Sequence, residues 1–251
     1  MKTKILMTVF ALILGISMAG SASAASFADV AFVIDQSGSM GGEFAWLGSS
    51  ISTINTAITN AGITARYGVA GYEDTAGTEY GGNAWVDLTT NINSVVSEVN
   101  SASTYGGTEY GYHAVEWAAN NFSWNGGNYA KVMVLITDED PDDYYSYGSG
   151  ANGEDDIAAL VAANDILLNV ITSTGLYSYW DGVVYDQSDP NYAGLFDLDS
   201  LRTDAAGFTA DFTAAKIKEI QEFDPNVPEP ATMAMFGIGL TGMALRRRRR
   251  S

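Results

Sequence analysis

Residues 30–39 read Val-Ala-Phe-Val-Ile-Asp-Gln-Ser-Gly-Ser. Five apolar residues in succession, Val30 to Ile34, match a β-strand covered on both faces, because a strand with one wet face alternates apolar and polar positions instead. The run ends abruptly on Asp35. Working outward, residues 43–60 set Phe44, Leu47, Ile51, Ile54 and Ile58 at helical spacing, which predicts an amphipathic helix. The buried-strand signature returns at Val132-Met133-Val134-Leu135-Ile136 and again over 166–171. Further strands are expected at 66–72 and 84–88, the second weaker and a candidate antiparallel edge. Helices are expected at 92–101, 110–122, 154–164 and 213–223, the last ending before Pro225. Such alternation predicts an α/β fold, a doubly wound, mainly parallel sheet flanked by helices in a single domain.

Two stretches lack a clear period. Residues 139–153 are acidic and rich in tyrosine and glycine, and read as a long loop. Residues 173–197 carry Tyr, Trp, Asp and Gly, with a hairpin expected through 177–179 and 183–185. Long loops in compact domains are often functional. The aromatic residues of 144–192 offer either a recognition surface or packing for the insertion itself.

Both termini stand apart from the domain at 25–226. Residues 1–24 combine Lys2 and Lys4, an apolar stretch over 5–16 and Ala22-Ser23-Ala24, the pattern of a signal peptide that signal peptidase removes. The apolar run is shorter than the ~20 residues a membrane span needs, which argues against an uncleaved anchor. At the other end, Val227-Pro228-Glu229-Pro230 precedes an apolar segment over 231–245 and five arginines, Arg246 to Arg250. That segment, as a short transmembrane helix, reaches only about 22 Å against a ~30 Å hydrocarbon core, and the arginines favour the cytoplasmic side. The order of these parts over 227–251 resembles the PEP-CTERM sorting signal. The resemblance implies processing by a membrane-embedded exosortase and delivery to the surface, outer membrane or extracellular matrix of a Gram-negative bacterium.

The chain carries 12 Lys and Arg against 30 Asp and Glu, a net charge of −18. Lys2, Lys4 and the five terminal arginines lie outside 25–226, so the domain itself is more acidic still. Such a charge repels nucleic acid and anionic lipid and attracts cations, which excludes a nucleic-acid role. There is no cysteine. Thiol catalysis, zinc–thiolate sites and iron–sulfur clusters are thereby excluded.

In a parallel sheet, ligands gather where the strands end. Asp35, Ser37 and Ser39 follow the first strand, Gly106-Gly107-Thr108 forms a loop before a helix, and Thr137-Asp138 follows the fourth strand. These are hard oxygen ligands, suited to Mg²⁺, which takes about six oxygens near 2.0–2.1 Å. Serines two apart after Asp35 can both turn inward, with Gly38 permitting the bend. A capped turn, in which Asp35 and Ser39 satisfy backbone donors at a helix start, is the alternative reading.

The set resembles the metal-ion-dependent adhesion site of von Willebrand factor A domains, a Rossmann-like family. Its DxSxS motif matches residues 35–39, its threonine loop matches 106–108, and its second aspartate matches 136–138. The resemblance implies that Ser37 and Ser39 bind Mg²⁺ (or Ca²⁺ or Mn²⁺) directly. It further implies that Thr108 binds directly or through water, that Asp35 and Asp138 act largely through bridging waters, and that the open position accepts a partner's carboxylate. One departure stands out: where many members have glycine after the second aspartate, this chain has Glu139-Asp140-Pro141-Asp142-Asp143. These residues offer either a second cation site, with calcium the better match, or a solvated loop. His113, the single histidine, falls on a helix and reads as a satisfied or exposed side chain rather than a general base.

The expected function is therefore that of an exported, non-enzymatic module, gripping a protein or matrix ligand through a metal. The alternatives are a structural matrix component whose metal only stabilises the fold, and a metal-dependent hydrolase. The last lacks a Glu-His zinc motif, nucleophile elbow or phosphate loop.

Overall fold

The computed structural model describes residues 27–72, 83–104, 109–141, 153–184 and 194–223, all within one compact unit, Ala25–Pro225. Strand β1 (Phe27–Asp35) leads through a single 3-10 turn into helix α1 (Gly41–Asn60) and strands β2 (Thr64–Tyr72) and β3 (Asn83–Thr89). Helices α2 (Ile92–Ser101) and α3 (Gly111–Asn121) follow, then β4 (Tyr129–Ile136), α4 (Glu154–Ala163) and β5 (Ile166–Thr172). The chain closes with α5 (Tyr177–Trp180), β6 (Leu195–Asp197), α6 (Leu198–Thr203) and α7 (Ala205–Glu222).

The six strands form one sheet in the order β3-β2-β1-β4-β5-β6. Only β3 runs antiparallel, at one edge, and its pairing with β2 is broken by register shifts. The other edge is the three-residue β6. Strand β1 lies at the centre, in register with β2 on one side and β4 on the other.

The apolar run that opened the sequence is explained by its alternation between two cores. Val30, Phe32 and Ile34 face α1, α2 and α7, whereas Ala31 and Val33 face α3 and α4. Every residue of β1 after Phe27 is buried. The expected doubly wound sheet with helices on both faces is what forms. At its amino end the buried Asp29 accepts two hydrogen bonds from Arg66, at 2.8 and 2.7 Å, and one from the Asn125 amide at 2.6 Å. That fork compensates a carboxylate with no solvent exposure.

Helix α1 ends on Gly62, whose φ of +84° suits only a residue without Cβ, and whose amide donates to the Thr59 carbonyl. Gly111 opens α3 under the Trp180 ring. A Cβ there would stand 2.4 Å from the indole.

Two expectations need correction. Residues 177–179 do not form one arm of a hairpin; they lie in α5, after a 3-10 turn at Thr174–Leu176. The reason is Trp180, fully buried, packed edge-on against Tyr112 at 5.3 Å, while Tyr112 donates its hydroxyl to the Tyr179 carbonyl. The last helix also starts earlier than residue 213. Asp204 caps α7 by accepting from the Gly207 amide at 3.0 Å, and Asp197 caps α6 in the same way through Asp199.

Among the described residues no helix is long and apolar enough to cross a membrane. The segments 1–24 and 227–251 lie outside the described residues, as does most of the loop 139–153.

Phe32, with no exposed surface at the middle of the central strand, tests the core directly. Replacement by Ala should lower the unfolding free energy by about 3–5 kcal/mol, read as a shifted denaturant midpoint at unchanged m-value.

Candidate metal centre

Because β1 and β4 are parallel neighbours with Ile34 paired to Ile136, the residues that follow each strand emerge side by side. Asp35 is fully buried. Its Oδ2 accepts from the Thr137 hydroxyl at 2.9 Å and its Oδ1 from the Ser37 amide at 2.7 Å. Burial pushes its pKa up to about 6, against the pull of these hydrogen bonds, with Asp138 adding a smaller upward push. Asp35 thus organises the loop from below: the same carboxylate ties the first loop to the fourth strand.

Above it the oxygens climb towards solvent. The Ser37 and Ser39 hydroxyls are 3.0 Å apart, and Ser39 donates to Asp138 Oδ1 at 2.9 Å. Ser37 is buried, Asp138 is partly covered and Ser39 is exposed. The bend between the serines is a 3-10 turn at Gly38–Met40. Gly38 has ordinary negative φ and open space around its Cβ position, so the bend does not depend on glycine as expected from sequence.

These oxygens fit a small divalent cation. Adjacent ligands of an octahedron with metal–oxygen distances near 2.0–2.1 Å lie about 3 Å apart, the spacing found between the Ser37 and Ser39 hydroxyls, and Asp138 Oδ1 stands beside them, 2.9 Å from Ser39. The set is rich in hydroxyls rather than carboxylates. Among the described residues no three Asp, Glu or His side chains converge on a common point.

Of the expected site residues, the structure brings together Asp35, Ser37, Ser39 and Asp138. Thr108 lies outside the described residues, as do Asp142 and Asp143 of the acidic run. The approach to the threonine loop is nonetheless tied to the site: Gln36 Nε2 donates to the Ser103 carbonyl at 3.2 Å, and its amide donates to the Tyr72 carbonyl at 2.9 Å. His113 is buried on α3, its ring edge-on to Tyr110.

One residue was missed altogether. Arg202, from α6, donates through Nη2 to Asp138 Oδ2 at 2.8 Å and through Nε to Glu43 Oε1 at 2.7 Å. Glu43 is 1% exposed and, among the described residues, its Oε2 has no hydrogen-bond partner, so Arg202 is its counter-charge. No spacing rule links positions 43, 138 and 202. The available signal was the scarcity of basic residues in so acidic a domain, which makes each one a candidate for a specific pairing.

Replacing Arg202 by Met strands the buried Glu43. The loss should be about 1–3 kcal/mol, below that of a fully enclosed pair because Arg202 is about one-third exposed. The double replacement Arg202→Met with Glu43→Gln should restore most of it, as a double-mutant cycle in denaturant will show.

A family model for the von Willebrand factor type A domain matches residues 29–173, and one for the PEP-CTERM protein-sorting motif matches 226–250. The second motif indicates export and C-terminal processing. No curated protein matches the chain. Among solved structures the chain is similar to proximal thread matrix protein 1 from the mussel byssus. One crystal form gives 12% identity over 77% of this chain and 50% of that one, with a TM-score of 0.55. A structure of the same protein with a zinc-occupied MIDAS motif gives 15% identity over 78% and 47%, with a TM-score of 0.57. The chain therefore spans about half the length of these neighbours, and at such identities the likeness speaks for the fold. The matched residues, 29–173, make up more than half of this chain, which belongs to the von Willebrand factor type A domain family.

Proposed function

We propose that this protein, exported and processed at its C-terminus, binds a partner at the cell surface or in the extracellular matrix through a divalent cation held by Asp35, Ser37, Ser39, Thr108 and Asp138. The observation that carries the reading is the continuous chain of oxygens from Ser37 through Ser39 to Asp138, 3.0 and 2.9 Å apart. Ser37 and Ser39 would hold the ion directly, Thr108 directly or through water, and Asp35 and Asp138 mainly through water. Mg²⁺ suits the spacing best, with Mn²⁺ or Ca²⁺ as substitutes, and the zinc-bearing neighbour is compatible with a divalent ion here.

The ion, when bound, supplies residual positive charge for an external carboxylate. The chain's own residues set how much of that charge survives. Hydroxyl ligands are neutral, Asp35 is withdrawn into the core, and Arg202 offsets the charge of Asp138. All three leave the cation under-neutralised, so a partner's carboxylate is favoured as an additional ligand. The acidic domain as a whole disfavours a strongly acidic partner, which points to a single carboxylate on a neutral or basic surface. We assign no catalysis to the site, and the exosortase acts on the tail.

Mg²⁺ or Mn²⁺ should raise the melting midpoint, by the equivalent of about 2.7 kcal/mol at a hundredfold excess over the dissociation constant. Ser37→Ala and Ser39→Ala should each remove most of that response while leaving the metal-free melt nearly unchanged. Capture of the partner from envelope and biofilm extract should vanish in chelator and in both variants. Cation-dependent melting with chelator-resistant capture would instead mark a structural component whose metal only stabilises the fold.

A further inference from the structure

Away from the rim, three side chains of complementary reactivity meet inside the core between β5 and α7. Asn169 of β5 and Lys216 and Glu219 of α7 are 2%, 2% and 5% exposed. The Lys216 Nζ contacts both Asn169 Oδ1 and Glu219 Oε2, and Asn169 Nδ2 donates to Glu219 Oε1 at 3.0 Å and to the Leu167 carbonyl at 3.2 Å. The rings of Phe196 and Phe212 close over the amine, with centroids 5.0 and 5.7 Å from Nζ.

A lysine is rarely enclosed so completely. The asparagine amide bridges both charged groups, its oxygen on the amine and its nitrogen on the carboxylate. As a reaction site, each member has a task. The amide oxygen touching Nζ is one bond from Cγ, the electrophilic carbon. The carboxylate spans both the amine and the amide nitrogen, so one group can take a proton from the first and give it to the second. The aromatic wall keeps out water, which would otherwise solvate the amine and compete for the carbonyl.

We propose that Lys216 and Asn169 become joined by an intramolecular amide bond, with Glu219 carrying the proton and ammonia leaving. Glu219 first accepts a proton from the Lys216 ammonium, which turns two buried charges into a neutral amine and a neutral acid. Burial eases the loss of the proton from Lys216, since it holds that pKa below the ordinary lysine range. The Nζ lone pair then forms a bond to Asn169 Cγ while the carboxylic acid hydrogen-bonds the amide oxygen. Glu219 moves a proton from Nζ to Nδ2, the Cγ–Nδ2 bond breaks, and NH₃ departs. The products are one secondary amide, one ammonia and a neutral Glu219. No oxidant or cofactor enters the balance. Proximity is the main accelerating factor, because the three groups are positioned by the sheet and helix that carry them.

The bond would link positions 47 residues apart, fastening the last helix to the sheet. A cross-link of this kind limits the unfolded chain as a disulfide does, in an exported chain that has no cysteine.

The test is mass spectrometry of the full exported chain after tryptic digestion. Trypsin should cleave after Lys131, Arg202 and Lys218 but not after acylated Lys216, so residues 132–202 should appear joined to residues 203–218, lighter than their sum by one ammonia. Lys216→Arg keeps the charge and should give only linear peptides. Glu219→Gln keeps both reacting groups and should lose most of the joined species; full cross-linking in that variant would overturn the role given to Glu219. Wild-type protein with a cooperative melt, yielding unmodified Lys216 and Asn169 in separate peptides, would overturn the bond itself. That wild-type measurement decides the matter even where a variant fails to fold.

Discussion

The parallel pairing of β1 with β4 is the constraint on which the rest of this molecule depends. Both strands are covered on both faces, so neither can shift by a residue without turning core side chains towards the wrong helices. With the register held from Phe27 against Tyr129 to Ile34 against Ile136, the two loops leave the sheet at one level. Asp35 exploits this. It is the last residue of the central strand, and its two oxygens reach forward to the Ser37 amide and sideways to the Thr137 hydroxyl. The loop bearing the serines is therefore anchored to the neighbouring strand by a side chain that solvent does not reach.

The fold was readable because its signal is redundant. Val30 to Ile34, Val132 to Ile136 and residues 166–171 each announce a strand enclosed on both sides, and the helical spacing of Phe44, Leu47, Ile51, Ile54 and Ile58 covers one face. The gathering of four of the five residues proposed to hold a metal was legible for a related reason. Asp35, Ser37, Ser39 and Asp138 follow strands that announce themselves, so their meeting required only the strand order. What escaped depended on contacts between distant parts. The short helix at 177–180 forms because Trp180 finds a pocket against α3, and nothing local to those residues specifies it. The early start of α7 depends on Asp204, whose side chain caps it, a contact that helical spacing over 213–223 does not express. Arg202 joins three elements across 64 and 159 residues of separation, a pairing with no sequence period.

Charge is distributed with some economy around the rim. The domain is strongly acidic, yet two of its buried carboxylates each have an arginine of their own: Asp29 has Arg66 and Glu43 has Arg202. The remaining acidic groups repel one another across the surface, which favours solubility and disfavours compactness. Buried pairs of this kind give stability only when both partners are present, so the few basic residues of the domain matter far more than their number suggests. Arg202 carries the greatest weight, because it neutralises a core glutamate and a rim aspartate at once.

The two borders of the sheet bear on how such a protein behaves when many copies are held close together. A long, regular border strand invites a neighbouring chain to continue the ladder, the route to fibres. Here one border is occupied by β3, whose pairing is interrupted by register shifts, and the other by β6, only three residues long. Neither provides an even template. Copies held at high density are thus discouraged from polymerising through their backbones.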